Sequence, residues 1–195
     1  QQRSSAASDV YKRQSFGFAV VDRLGVFSGR INTNDVVFER RDAFLAAAKS
    51  GDGAVLLTAH LGSMEMLKTI ASQRSDIKLN VLAFNQHMRH FNRFIKKLGI
   101  KSDIELIQTN AITPATAMIL QQKIDNGEFI VIASDRTPAG GSQRVTYADF
   151  LGSSAAFPQG AFILASLLKC PVHTIFCLKD RGKHHVYYEP FADQI

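Results

Sequence analysis

The sequence contains no tryptophan and only two cysteines, Cys170 and Cys177. Both lie in one apolar, strand-like run, where their side chains point too far apart to form a disulfide, so a reducing compartment is expected. No apolar run reaches the roughly 18 residues of a membrane-spanning helix, and the first residues lack the basic-then-apolar order of a signal peptide. The chain is therefore predicted to be a soluble or peripheral domain.

Two common functional signatures are also missing. No G-x-S-x-G elbow occurs, so serine hydrolysis is poorly supported. No recognised nucleic-acid-binding module is present, and nucleic acid is not expected as a partner. The formal charge of +6 suits an anionic membrane surface, an acidic carrier protein or phosphorylated substrates, and an ordinary solvated surface explains it about as well.

The order of strand-like and helix-like segments predicts one α/β domain over residues 15–195, after a foreign or disordered lead at residues 1–14. Helices are predicted over 15–24, 42–49, 63–73, 88–98, 114–126 and 159–168. Strands are predicted over 54–59, 79–84, 104–108, 129–134, 145–150, 172–179 and 184–188. The alternation indicates a mixed, mostly parallel central sheet flanked by helices, with ligand sites beyond the carboxyl ends of the strands.

The stretch VLLTAHLGSMEML passes from a buried strand into a helix-like pattern. His60 follows the strand, Gly62 permits a tight turn, and Ser63 can cap the helix that begins there. Glu65 falls in the first helical turn, where the helix dipole favours a carboxylate. Such a carboxylate can accept a proton from one imidazole nitrogen and leave the other as a base for a hydroxyl.

Other interpretations of this stretch remain open. His60 also fits a loop histidine with satisfied hydrogen bonds, and Glu65 fits a solvated first-turn acid. A zinc site would need further ligands, and the candidates His87 and His90 have helical spacing rather than an established zinc pattern. No metal is therefore expected.

A second group of polar residues occurs in IVIASDRTPAGGSQR, where a buried strand ends at Asp135 and Arg136. Arg136 can hold a phosphate or carboxylate by a forked contact, or stabilise an oxyanion. Asp135 and Arg136 can equally form only a local ion pair. Farther on, FLG at 150–152 and FP at 157–158 are predicted to form a packed turn that leads into a helix.

The H-x4-E box, the SDR after a buried strand and the block YADFLGSSAAFPQGAFILASLLKCPV, in this order, resemble the bacterial late acyltransferases of lipid A biosynthesis. These belong to the wider H-x4-D/E acyltransferase group, which includes glycerophosphate acyltransferases. The resemblance extends from about Phe16 to Phe191, and the sequences of these motifs are most similar to those of relatives that acylate glycolipids other than lipid A. Because family members usually begin with an apolar anchor and are longer, the chain is expected to be truncated at both ends.

The resemblance implies an O-acyltransferase that moves a fatty acyl chain from a thioester of acyl carrier protein, or of coenzyme A, to a hydroxyl of a lipid A-like or other membrane glycolipid. It implies the cytoplasmic face of the bacterial inner membrane, reached peripherally or through an anchor absent here, and no cofactor beyond the acyl co-substrate. His60 would be the general base and Glu65 its orienting carboxylate. Substrate binding is expected of Arg136, Asp135, Gly62 and Ser63.

Two other functions remain open: a non-catalytic lipid- or carrier-binding domain, and hydrolysis of a thioester or lipid ester with His60 activating water. The basic and aromatic segment HMRHFNRFIKKLGIK bears on the partners. As an amphipathic helix it suits anionic lipid or an acidic carrier protein, and the solvated face of a helix covering the sheet explains it equally well.

Overall fold

The computed structural model describes residues 25, 36–63, 66–67, 77–83, 104–108, 113–135 and 144–195. These residues contain three helices: α1 (Arg41–Ser50), α2 (Pro114–Asp125) and α3 (Gly160–Leu168). They contain nine strands: β1 (Val37–Glu39), β2 (Ala54–Thr58), β3 (Leu79–Ala83), β4 (Ile104–Gln108), β5 (Phe129–Ala133), β6 (Val145–Phe150), β7 (Ser153–Pro158), β8 (Val172–Asp180) and β9 (Lys183–Ala192).

Seven strands form one sheet in the order β1-β9-β8-β2-β5-β3-β4. Strands β8, β2, β5, β3 and β4 are mutually parallel, whereas β9 runs antiparallel to β8, and β1 is parallel to β9. The predicted mixed, mostly parallel α/β sheet is therefore confirmed. We call the edge formed by the carboxyl ends of the five parallel strands the carboxyl edge, and the opposite one the amino edge.

Strand β2 is buried along its whole length, as its unbroken apolar sequence predicts for a central strand covered on both faces. Its side chains alternate between two hydrophobic layers. One layer packs α2 and α3 on the sheet through Val55, Leu57, Ile130, Ile132, Leu120, Ile124, Leu164 and Leu168. The other layer packs α1 on the opposite face through Phe44, Leu56, Phe129, Val131, Ile175, Val186 and Tyr188.

Both cysteines are free and buried, in agreement with the sequence prediction. Cys177 belongs to the layer under α1 and Cys170 to the layer under α2 and α3, so the sheet separates them. Burial raises the pKa of the Cys170 thiol. The Cys170 thiol is therefore protonated at neutral pH.

One prediction is wrong: residues 150–158 do not form a packed turn. Strands β6 and β7 form a separate antiparallel hairpin, and Leu151 at its tip is 90% exposed. The turn residues Leu151 and Gly152 have φ angles of +53° and +80°, which suit the twist of a two-residue hairpin turn. The apolar pattern suggested a core contact, but Phe150 and Phe157 instead pack against each other with ring centroids 5.8 Å apart.

The other element boundaries agree with the sequence to within a few residues, apart from β1 and β7, which were not predicted. Helix α2 begins as its sequence indicates, because Thr113 Oγ1 accepts a hydrogen bond from the Thr116 backbone N–H at 3.2 Å and Pro114 takes the first helical position. The helices predicted over 15–24 and 88–98, and the lead at 1–14, lie outside the described residues. Of the helix predicted over 63–73, three residues are described: Met66 and Leu67 are helical, and Ser63 is not.

Candidate active site

The site begins where two neighbouring parallel strands end. Thr58 of β2 pairs in register with Ala133 of β5, and the Ser134 backbone N–H donates to the Thr58 carbonyl at 2.9 Å. His60 and Asp135 each lie two residues beyond this pair. The register of the two strands therefore brings these side chains together at the carboxyl edge, where ligand sites of α/β sheets lie.

The His60 imidazole contacts the Asp135 carboxylate, with Nδ1 and Oδ1 2.9 Å apart. The two side chains are 45% and 31% exposed, so a substrate can reach them from solvent. In the tautomer that donates from Nδ1 to the carboxylate, the lone pair of the neutral ring lies on Nε2. The pair therefore offers Nε2 as a base, while the contact with Asp135 holds Nδ1 in place.

Asp135 is a carboxylate at neutral pH. Its partial burial by itself raises its pKa, but the hydrogen bonds and the charge of His60 lower that pKa below the ordinary value of 3.8. An ionised Asp135 can balance the positive charge that His60 acquires when it takes a proton.

The loop that carries His60 is joined to β8. Gly62 forms an isolated parallel bridge with Cys177, and the Ser63 backbone N–H donates to the Cys177 carbonyl at 2.8 Å. Gly62 has a φ of +78°, and a Cβ at this position would overlap the Cys177 carbonyl oxygen. Only glycine combines this backbone conformation with so close an approach.

Ser63 is buried and caps the chain that follows it. Its Oγ accepts a hydrogen bond from the Met66 backbone N–H at 3.4 Å, three residues on, as a capping serine does. Capping was the role that the local sequence indicated for Ser63. Substrate contacts by Gly62, Ser63 and Asp135 stay predictions.

Sequence reasoning did not identify the contact between His60 and Asp135. It assigned Asp135 to substrate binding or to a local ion pair, and it assigned the imidazole to Glu65. Glu65 and Arg136 lie outside the described residues, so their predicted roles are unchanged. The pairing follows from the adjacency of β2 and β5, which no local motif encodes.

Two further observations concern metal ligands and membrane-spanning helices among the described residues. In the part of the chain that the structure describes, no group of three or more His, Cys, Asp or Glu side chains is placed to hold a metal ion. Among the described helices, none is both long enough and apolar enough to cross a bilayer.

The fold and the site together define an α/β protein with a solvent-accessible histidine–carboxylate pair at the carboxyl edge of a mostly parallel sheet. Residues 30–193 match the family model described as bacterial lipid A biosynthesis acyltransferase. Because this match spans most of the sequence, the chain belongs to that family, as the sequence resemblance indicated. No individual curated protein matches the chain.

Proposed function

We propose that this protein is an O-acyltransferase that moves a fatty acyl chain from a thioester to a hydroxyl of a lipid A-like or other membrane glycolipid. Membership of an acyltransferase family supports the reaction class. The observation that carries the mechanism is the 2.9 Å contact between His60 Nδ1 and Asp135 Oδ1, which leaves Nε2 to serve as the base.

The reaction needs one proton to move twice. His60 Nε2 takes the proton of the acceptor hydroxyl while the hydroxyl oxygen attacks the thioester carbonyl carbon. The tetrahedral intermediate then expels the thiolate as the carbon–sulfur bond breaks, and the imidazolium returns the proton to sulfur. The products are an ester and a free thiol, and because the thioester is already activated, no covalent acyl-enzyme is required.

Three groups support the base in this proposal. Asp135 holds the Nδ1 proton and offsets the charge of the imidazolium. Glu65 is proposed as a second carboxylate that orients His60 and balances its charge. Arg136, next to Asp135 in the sequence, is proposed to bind a substrate phosphate or to stabilise the oxyanion that develops at the thioester carbonyl.

The proposed donor is the thioester of acyl carrier protein or of coenzyme A, and the proposed place of action is the cytoplasmic face of the bacterial inner membrane. A glycolipid acceptor requires that the protein work at a membrane surface. The family name supports an acceptor of the lipid A type, and the sequence resemblance extends this to other glycolipids.

The test is acyl transfer from a labelled acyl carrier protein thioester into a bacterial lipid extract, followed by mass analysis of the labelled lipid. His60→Ala is expected to lower the transfer rate by about 10²–10⁴-fold, the usual contribution of a general base. His185→Ala is the matched control, because His185 Nδ1 also faces a carboxylate, Glu39 Oε1 at 3.9 Å, in the edge strands β9 and β1. This control is expected to transfer at the wild-type rate.

Other outcomes would replace the proposal. Label released as free fatty acid at a rate that does not depend on the lipid extract would identify a hydrolase. Lipid or carrier binding without any turnover would identify a binding domain. Transfer that is unchanged in His60→Ala would reject His60 as the base.

A further inference from the structure

The carboxyl edge, where His60 lies, also carries exposed apolar side chains on separate elements. Helices α2 and α3 lead directly into β5 and β8 at the amino edge, so both helices begin near the carboxyl edge. The first half of α2 exposes Met118 and Ile119, and the His60 loop exposes Leu61. Helix α2 and the His60 loop thus bring apolar surface to the carboxyl edge, and the β6–β7 hairpin is a third element that does so.

The base of the β6–β7 hairpin lies at the carboxyl edge, where α3 begins. It follows β5 and precedes α3 in the chain, and the Gln159 backbone N–H closes its base by donating to the Arg144 carbonyl at 2.9 Å. A six-residue strand is about 20 Å long, and Leu151 at the tip of the hairpin is 90% exposed. Phe150, next to the tip, is 54% exposed, and Tyr147, halfway along β6, is 72% exposed.

One face of this hairpin is free of charge. Directly opposed residues share a face, and the register places Thr146, Ala148, Phe150, Ser153, Ala155 and Phe157 together. Asp149 is the one charged residue between Val145 and Pro158, and it lies on the other face. This face is therefore uncharged and mostly apolar, and Phe150 on it directly precedes the exposed Leu151.

A basic turn lies at the same edge. Lys179, Arg181 and Lys183 are exposed around the turn that joins β8 to β9, and Asp180 is the one acid among them. This turn follows Cys177, the residue to which the His60 loop is bound through Gly62. Cationic side chains and the proposed base therefore belong to adjoining parts of the carboxyl edge.

We infer that the carboxyl edge docks on a lipid bilayer with anionic head groups. The tip of the β6–β7 hairpin enters the interface, the basic turn contacts the head groups, and His60 and Asp135 face the membrane. A bilayer surface stabilises apolar and cationic groups side by side, whereas an acidic carrier protein accounts for the basic turn but not for the exposed Leu151. The inference rests on the proposed function only in taking the acyl acceptor to be a lipid of this membrane.

The absence of tryptophan allows a direct test of insertion. Leu151→Trp places a single fluorophore at the hairpin tip, and Leu167→Trp places one on the last turn of α3, at the amino edge, where Leu167 is 62% exposed. With vesicles of phosphatidylcholine and phosphatidylglycerol, the tip variant is expected to show blue-shifted emission and quenching by brominated acyl chains. The Leu167→Trp emission should stay as it is in buffer; equal responses from both variants, or none from the tip, would overturn the inference.

Vesicle co-sedimentation measures the contribution of the tip to binding. The double variant Phe150→Ser with Leu151→Asn is expected to bind at least about tenfold more weakly, because it removes two apolar side chains from the interface. Asparagine suits the left-handed backbone at Leu151. Leu167→Ser, with a similarly exposed leucine at the amino edge, should bind like the wild type, and equal urea midpoints for both variants would show that the fold is intact.

The basic turn is tested with a control of equal charge. Arg181→Asn with Lys183→Gln should weaken binding to anionic vesicles by about 25-fold, at roughly fivefold for each cation near the surface, and should leave binding to neutral vesicles unchanged. The control, Lys169→Asn with Lys49→Gln, removes the same charge at the amino edge and also includes one left-handed position, since Lys169 and Arg181 have φ angles of +49° and +45°.

The outcomes separate this inference from the proposed function. If the hairpin variant loses vesicle binding but acylates a detergent-dispersed acceptor at the wild-type rate, both stand. If transfer depends on His60 while vesicle binding is unaffected by the tip and by the basic turn, the docking surface is rejected and the function stands. If binding depends on the tip but no acyl transfer occurs under any condition, the function fails and the docking surface stands. Loss of use of the acyl carrier protein thioester, with vesicle binding intact in the basic-turn variant, would assign that turn to the carrier.

Discussion

Strand β5 has a carboxylate at each end, and the two differ in their surroundings. Glu128, just before the strand, is 11% exposed in its side chain, and it accepts hydrogen bonds from Asn80 Nδ2 at 2.9 Å and from Lys123 Nζ at 3.4 Å. Asp135, just after the strand, is 31% exposed in its side chain and contacts His60. The amino edge encloses its carboxylate among fixed donors, whereas the carboxyl edge holds its carboxylate against a group that can exchange a proton with solvent.

Both carboxylates have a lowered pKa, so the shift alone does not distinguish a structural group from a candidate catalytic one. Burial by itself raises the pKa of Glu128, and the Asn80 hydrogen bond together with the charges of Lys123 and Lys78 lowers it below 4.5. The distinguishing properties are exposure and the kind of partner. An open carboxylate paired with a titratable imidazole can take part in a reaction, while an enclosed one paired with cations and an amide stabilises the fold.

The largest effect is expected when the carboxylate at the carboxyl edge is removed. Asp135→Asn replaces the carboxylate that holds His60 Nδ1 with a neutral amide. The imidazolium then has no negative charge beside it, and the hydrogen bond that fixes the proton on Nδ1 is lost. The transfer rate constant kcat is expected to fall by about 10²–10⁴-fold, by analogy with the carboxylate of a hydrolase triad. The measurement is single-turnover acyl transfer with saturating lipid acceptor.

The matched control for Asp135→Asn is Glu128→Gln, which makes the same change in charge at the other end of β5. It should leave kcat of the folded protein unchanged. If instead Glu65→Gln lowers kcat and Asp135→Asn does not, then Glu65 supplies the orienting carboxylate, and the observed contact of Asp135 serves only to hold the loop.

Gly62→Ala is expected to have the second-largest effect. A residue other than glycine in a left-handed conformation costs about 1–2 kcal/mol, and the overlap of the new Cβ with the Cys177 carbonyl adds about 1–3 kcal/mol of strain. We expect a loss of this combined size in the free energy of unfolding in urea, with reduced kcat because the loop holding His60 must move.

Gly152→Ala separates the two contributions to this loss. Gly152 has a φ of +80°, but an added Cβ there meets no atom within 4 Å. It should cost only the backbone term, about 1–2 kcal/mol, and leave kcat unchanged. Equal losses of stability in the two variants would show that the bridge between Gly62 and Cys177 relaxes without strain.

The third prediction concerns acid stability at the amino edge. Because folding lowers the pKa of Glu128 below 4.5, its charged form contributes stability that is complete above that value and is lost as the pH falls through the lower, folded-state pKa. Glu128→Gln is expected to cost about 1–3 kcal/mol at pH 7, the price of a poorly satisfied buried polar group. Urea unfolding followed from pH 7 downward measures both quantities.

The variant and the wild type should converge in stability as the pH falls from 4.5 through the lower folded-state pKa of Glu128, since the wild-type carboxyl group becomes protonated there. A constant difference in the free energy of unfolding at all pH values would mean that the loss comes from geometry rather than from the carboxylate charge.

The sequence predicted the two ends of the site separately but not their contact. Each buried apolar run marks a central strand, and the residue that breaks the run, His60 or Asp135, marks its carboxyl end. The neighbour of a strand in a parallel sheet is set by crossovers, and β3 and β4 intervene in the chain between β2 and β5. No local spacing records that order, so the residue nearest in sequence, Glu65, was the natural choice of partner.

The β6–β7 hairpin was predicted only in part, because β6 was expected over 145–150 but β7 was not. Phe150 and Phe157 have the composition of core residues, and periodicity alone does not tell an apolar side chain that faces the core from one that faces solvent. Strand β1 has only three residues and, among the described strands, pairs only with β9, so its pattern was too brief to recognise. The central strands and the helices that pack on them were predictable because burial on both faces requires long unbroken apolar runs.

The smallest effects are expected for the two lysines that pair with Glu128, which differ in exposure. Lys78 Nζ lies 3.7 Å from Glu128 Oε1 and its side chain is 67% exposed, whereas Lys123 is 14% exposed. Lys78→Ala should therefore cost about 0–0.5 kcal/mol, as an exposed ion pair does, and 1 M salt should abolish the difference from wild type. Lys123→Ala should cost more and respond less to salt, because water screens its pairing less. If the two variants were equally costly and equally sensitive to salt in urea unfolding, the carboxylate of Glu128 would be open to solvent, and exposure would no longer separate the amino edge of β5 from the carboxyl edge.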